Sequence, residues 1–138
     1  MSLLDQLKTM TTVVADTGDI GAIEQFTPQD ATTNPSLITA AAKLPQYQSI
    51  VDETLEQAKQ TLGDNASDQD VAKEAFKHLA VAFGKRILDI IPGRVSTEVD
   101  ARLSYDTEGT IQTARELIGE YEAILIKMRS RLIPEASY

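Results

Sequence analysis

The chain has 138 residues, 42% of them hydrophobic, with no Cys and no Trp, and carries a formal net charge of −8. That length supports one domain, residues 1–138, with one core. The acidic balance argues against nucleic acid or an anionic membrane as the main partner, and the missing Cys removes disulfides, Cys-type zinc sites and thiol catalysis.

Leu3, Leu4 and Leu7 suggest a short N-terminal helix. Met1 to Met10 contains no long apolar run, so it does not read as a signal peptide, and no stretch approaches the ~18 apolar residues of a membrane span. A soluble cytoplasmic protein is the expectation. Thr11 to Ala15 is rich in β-branched residues and predicts a first strand. Asp16-Thr17-Gly18-Asp19 forms the turn after it, and Asp19 can cap a helix over Ile20 to Phe26. Ala31 to Thr33 is a very short second strand. Asn34-Pro35-Ser36 then opens a helix, with Asn34 at the N-cap and Pro35 at the first helical position.

Two longer helices follow. Tyr47 to Leu62 places Ile50, Leu55, Ala58 and Leu62 on its apolar side. The next begins at Ser67 or Asp68 and has its apolar face at Val71, Ala75, Phe76, Leu79, Phe83, Ile87 and Ile90, at spacings of three and four. After Pro92-Gly93-Arg94, residues Val95 to Val99 predict a third strand, and a helical pattern resumes near Thr107. Strands alternating with helices imply an α/β fold with a parallel sheet. Ala123 to Met128 could supply a fourth strand.

Four short runs end in polar groups. Asp16 closes the first strand, where a parallel α/β fold builds its sites; as a turn aspartate it would instead bond nearby backbone N–H groups. Thr32 and Asn34 end the second strand, where helix capping and a binding role are compatible. Glu98 lies on the third strand, on the opposite side from Thr97 and Val99, and a carboxylate on either face needs a partner. Lys127 follows Ile124-Leu125-Ile126. Desolvation there would lower its pKa and make the amine nucleophilic, whereas on an amphipathic helix it would face solvent. His78, the single histidine, offers no transition-metal set without Cys.

In order and spacing, Val13–Asp19, Asp30–Leu37 and the run Pro92-Gly93-Arg94-Val95-Ser96-Thr97-Glu98-Val99-Asp100-Ala101-Arg102-Leu103-Ser104-Tyr105-Asp106-Thr107 resemble transaldolase segments, and the likeness extends from about residue 11 to 127. The resemblance implies a partial (β/α)8 TIM barrel of about three or four β/α units, with extra helices before the third strand. A closed barrel takes roughly 200 to 250 residues. It also implies an enzyme of the pentose phosphate pathway, without metal or cofactor, that transfers a dihydroxyacetone unit. The donor would be sedoheptulose 7-phosphate or fructose 6-phosphate and the acceptor an aldose phosphate. By position, Lys127 matches the Schiff-base lysine and Glu98 the acid/base acting through a water. Asp16 matches the group that exchanges a proton with the sugar hydroxyl, and Thr32 and Asn34 match groups that bind that water and the dihydroxyacetone moiety.

The chain departs from the family around the lysine. Gly119-Glu120-Tyr121-Glu122-Ala123 runs into Ile124 with almost none of the ~2 to 6 residues of an αβ connection. Met128-Arg129-Ser130-Arg131 replaces the family's small residues, and the family's remaining strands do not follow. Instead Ile111, Ala114, Ile118, Tyr121, Leu125, Met128 and Leu132 recur at alternating spacings of three and four. That pattern predicts one long C-terminal helix from about Thr107 to Leu132, ended by Pro134, with Lys127 on its polar side. Unpaired strand edges or this helix are then expected to associate copies of the chain. The alternative to catalysis is an inactive truncated fragment or a helix-mediated interaction module.

Overall fold

The computed structural model describes residues 2–132, with side chains described as far as residue 121. The described contacts gather into two compact units, Met1–Glu98 and Val99–Tyr138. No helix among the described residues is long and apolar enough to cross a membrane.

The first unit begins with α1 (Leu3–Met10), opened by a reciprocal cap. The Ser2 hydroxyl accepts from the Asp5 N–H at 3.1 Å, and the Ser2 N–H donates to the Asp5 carboxylate at 2.8 Å. The Ser2 N–H donating to it, and after that the Ser2 side chain, hold the Asp5 carboxyl below its usual range. Next come β1 (Val14–Asp16), α2 (Ile20–Phe26), β2 (Asp30–Thr33) and α3 (Pro35–Ala41). A 3₁₀ turn at Pro45–Tyr47 leads into α4 (Gln48–Leu62), then α5 (Asp68–Leu88) and β3 (Val95–Thr97). The expected elements are present, with strands shifted by a few residues. β1 starts at Val14 rather than Thr11, because pairing with β2 begins only there. β3 ends at Thr97, one residue before Glu98.

The strands form a parallel sheet in the order β1-β2-β3. Asp16 lies beside Thr32, and Thr32 beside Ser96; one step earlier, Ala15, Ala31 and Val95 form the neighbouring row. Successive side chains alternate between faces, so these two rows point to opposite sides. The side of Ala31 and Thr33 is buried and meets α5. Ile23, Ile38, Ile50, Leu79, Phe83 and Ile87 fill the core there, and Tyr47 meets Phe83 edge-on with ring centroids 5.1 Å apart.

α5 is buried more widely than its predicted stripe. Ala80, Val81 and Gly84 are inside as well, because α4, α2, α3 and the sheet all pack against this helix. Two glycines allow close approach. A Cβ on Gly18 would stand 2.8 Å from the Leu37 carbonyl oxygen, and one on Gly93 would overlap the Asp30 carboxylate and the Gln29 carbonyl. The Gly93 N–H donates to Gln29 O at 3.0 Å, and the Arg94 N–H to Asp30 Oδ1 at 2.7 Å. These bonds close the end of the sheet remote from Asp16.

The second unit holds a 3₁₀ turn at Ala101–Leu103 and α6 (Thr107–Leu132). Asp100 Oδ1 accepts from the Arg102 N–H at 2.9 Å, and its carboxylate also receives the Arg102 guanidinium. That pairing depresses the Asp100 pKa and raises that of Arg102. Asp106 Oδ1 caps α6 by accepting from the Gly109 N–H at 2.9 Å. Residues 123–128, readable as strand or helix, belong to α6. Pro134, expected to end this helix, lies outside the described residues.

Candidate active site at the carboxyl edge of the sheet

Each strand of the first unit delivers polar groups to its carboxyl end. Asp16 is the last residue of β1, and Thr32 is its direct neighbour on β2. The Thr32 hydroxyl donates to Asp16 Oδ1 at 2.7 Å. Asp16 is exposed and Thr32 half-buried, so the pair can be reached from solvent. Asn34, two residues beyond Thr32, falls on the same side. Its Oδ1 accepts from the Leu37 N–H at 3.0 Å and so caps α3. The helix uses the carboxamide oxygen, which leaves the NH2 as the group Asn34 can offer a substrate. Capping and binding are thus compatible here.

Glu98 follows β3. Its N–H donates to Thr33 O at 3.3 Å, extending the ladder by one weak bond, and its side chain is exposed. Asp16, Thr32, Asn34 and Glu98 therefore belong to one face and one end of the sheet. Ser96, which the sequence reading did not single out, shares that face, in register with Thr32 and exposed. Its signal was its position two residues before Glu98 on a strand. Lys127 belongs to the second unit, on α6, and its side chain is outside those described.

The turn after Asp16 is fastened from below. The Tyr47 hydroxyl accepts from the Ile20 N–H at 3.0 Å and donates to Asp19 Oδ1 at 3.2 Å. Asp19 Oδ1 also accepts from the Gly21 N–H at 3.0 Å, capping α2. A buried tyrosine thus ties the β1–α2 turn to the core, which limits how far the backbone after Asp16 can move. Sequence periodicity marked Tyr47 only as the start of a helix.

The chemistry available at this edge is carboxylate, hydroxyl and amide. Two carboxylates favour a cation near them, and a hydroxyl paired to one of them can orient a sugar hydroxyl or a water. Together the fold and this edge define a parallel α/β protein whose exposed polar groups gather at the strands' carboxyl ends. Residues 13–130 match the transaldolase/fructose-6-phosphate aldolase family, and the chain belongs to that family. It is 66% identical over 136 residues to a transaldolase of Methylococcus capsulatus, covering 99% of this chain and 41% of the relative. To a transaldolase of Gloeobacter violaceus it is 68% identical over 136 residues, with 99% and 35% covered. To one of Thermosynechococcus vestitus it is 69% identical over 123 residues, with 89% and 32% covered. The chain thus spans about two fifths or less of the length of these relatives.

Proposed function

We propose that this chain carries part of a transaldolase site that holds the dihydroxyacetone portion of a sugar phosphate. The observation that supports this reading most is the Asp16–Thr32 hydrogen bond on the open face of the sheet, with Asn34 and Glu98 toward the same end. In this reading the neutral Lys127 amine adds to the ketone carbon of sedoheptulose 7-phosphate or fructose 6-phosphate. Glu98, through a water, protonates the departing hydroxyl of the carbinolamine, and an iminium forms. The Asp16 carboxylate then takes the proton of the sugar hydroxyl next to the breaking C–C bond. The bonding pair moves into the iminium, giving an enamine, and the aldose phosphate leaves. The steps reverse onto an acceptor aldose phosphate.

The carboxylates suit this sequence because their charge favours the cationic iminium and because a carboxylate can take up the proton that the amine gives away. Thr32 would hold Asp16 in position, and the Asn34 NH2 would hold a dihydroxyacetone hydroxyl. Neither metal nor cofactor enters these steps, and pentose phosphate metabolism in the cytoplasm is the setting that goes with them.

Borohydride trapping with fructose 6-phosphate, read by intact mass and peptide mapping, tests the reading. The expected result is a reduced adduct on Lys127 that disappears in Lys127→Met. No adduct, in a sample shown to be folded by circular dichroism, would remove the Schiff-base assignment. A second reading has its own support: residues 123–128 are helical, whereas the family resemblance calls for a strand. In that reading the chain is a non-catalytic family member whose α6 serves association.

A further inference from the structure

The turn after Asp16 is fastened at each residue. A helix start leaves four backbone N–H groups without partners inside the helix, and at α2 all four are accounted for. The Asp19 N–H donates to the Thr17 hydroxyl at 3.0 Å. The Gly21 and Ala22 N–H groups donate to Asp19 Oδ1 at 3.0 and 3.4 Å. The fourth, on Ile20, donates to the Tyr47 hydroxyl at 3.0 Å, the one acceptor that comes from outside the turn. The Tyr47 hydroxyl in turn donates to Asp19 Oδ1 at 3.2 Å.

Gly18 fastens the same turn from another side. It is buried, and a Cβ there would stand 2.8 Å from the Leu37 carbonyl oxygen and 3.1 Å from the Ala41 Cβ, so the turn backbone rests directly on α3. Leu37 is also the residue whose N–H holds the Asn34 carboxamide oxygen. One residue of α3 thus touches the turn that carries Asp16 and fixes the side chain of Asn34. Tyr47 lies in the 3₁₀ turn that follows α3, so the segment from Asn34 to Tyr47 grips residues 18–20 at two points.

We propose that Tyr47 and Gly18 are positioning residues: they hold the Asp16 turn against Leu37, so that the Asp16 carboxylate and the Asn34 NH2 keep one spacing for the dihydroxyacetone unit. This inference rests on the transaldolase reading above. The Tyr47 ring packs on Phe83, and Tyr47→Phe keeps that contact. Both bonds of the hydroxyl go to the turn, so the variant removes the fastening alone. The consequence falls on one step. Asp16 acts when the C–C bond breaks, not when the amine adds to the ketone. A loosened turn should therefore slow cleavage and spare iminium formation.

Borohydride quenching at short times after mixing the full chain with fructose 6-phosphate separates the two steps on one lysine. Before cleavage the adduct on Lys127 carries the six-carbon sugar phosphate, and after it the three-carbon dihydroxyacetone unit; intact mass gives both. Tyr47→Phe should leave the total adduct unchanged and slow the appearance of the three-carbon form on the order of tenfold. Gly18→Ala, whose Cβ must push Leu37 away, should do the same. Thr54→Val is the control: it removes a buried hydroxyl bonded to Val51 O at 2.9 Å, outside these contacts, and should leave the ratio of adducts as it was. Amide exchange reads the coupling without the chemistry. In Tyr47→Phe the Leu37 N–H should exchange on the order of tenfold faster, although the Tyr47 hydroxyl bonds only the turn; in Thr54→Val it should not. Total adduct and cleavage falling together, or unchanged Leu37 exchange, overturns the proposal and leaves the Schiff-base assignment standing. No adduct in the parent chain removes that assignment and the catalytic consequence with it, and Leu37 exchange then decides the coupling alone.

Discussion

The two faces of the three-stranded sheet are built by different rules, although they alternate residue by residue on the same short strands. Ala31 and Thr33 point into a core closed by α5, and each is 1% exposed. Asp16, Thr32, Ser96 and Glu98 point away from it, and all are exposed or half-buried. On the first face the criterion is volume and fit; on the second it is hydrogen-bonding groups at reachable distance. One residue of register separates them, so a slip of one position would exchange the two sets. The core face therefore fixes the register, and the register in turn places Asp16 beside Thr32. Packing on one face sets the geometry of the polar groups on the other.

The largest break in this comparison should come from Phe83→Ala. Phe83 is fully buried against Tyr47, and truncating a buried aromatic typically costs about 3–5 kcal/mol. Urea unfolding of the first unit should register that loss. Loss of the Tyr47 contact should also loosen the β1–α2 turn, which the Tyr47 hydroxyl fastens. A loss under 1 kcal/mol would mean that α5 does not anchor the sheet as described. Gly93→Ala should come next, at about 2–3 kcal/mol. Its Cβ would enter the space of the Asp30 carboxylate and the Gln29 carbonyl, both part of the closure between β2 and β3. The added methyl should push those strands apart at the end away from the site, so amide exchange near Ala31 should accelerate.

Much of this was legible in the sequence because short β-branched runs bounded by turn residues mark strands whatever surrounds them. The carboxyl-end groups Asp16, Thr32 and Asn34 could be placed because a strand end followed by a capped helix start has a local signature. Other features depend on partners far along the chain. The start of β1 at Val14 is set by where β2 can pair. Burial of Ala80, Val81 and Gly84 is set by elements that surround α5 on several sides, so periodicity along that helix understates it. Ser96 gains interest only once Thr32 is known to lie beside it. At residues 123–128 two local signals conflict: the Ile124-Leu125-Ile126 run favours a strand and the three-four spacing favours a helix. Continuation of an already capped α6 decides for the helix, since extending a helix adds a hydrogen bond per residue without a new nucleus.

Adjacent threonines sharpen the comparison at the smallest scale. The Thr32 hydroxyl donates to Asp16 at 2.7 Å on the open face. Thr33 points the other way, and its hydroxyl has no hydrogen-bond partner among the described residues while being fully buried. The same change, Thr to Val, removes the same atom from each. At Thr32 it deletes a bond to a carboxylate, so a loss of about 1 kcal/mol is expected, reduced from the buried value because Asp16 remains solvated. At Thr33 it replaces an unpartnered hydroxyl by a methyl in an apolar setting, so stability should hold or rise by up to about 1 kcal/mol. Paired urea denaturation of the two variants decides it. Equal losses at both positions would show that the Thr33 hydroxyl has a partner after all and that the inner face is less purely apolar than its packing implies. Opposite signs would show that hydrogen bonding governs one face and burial the other within a single dipeptide.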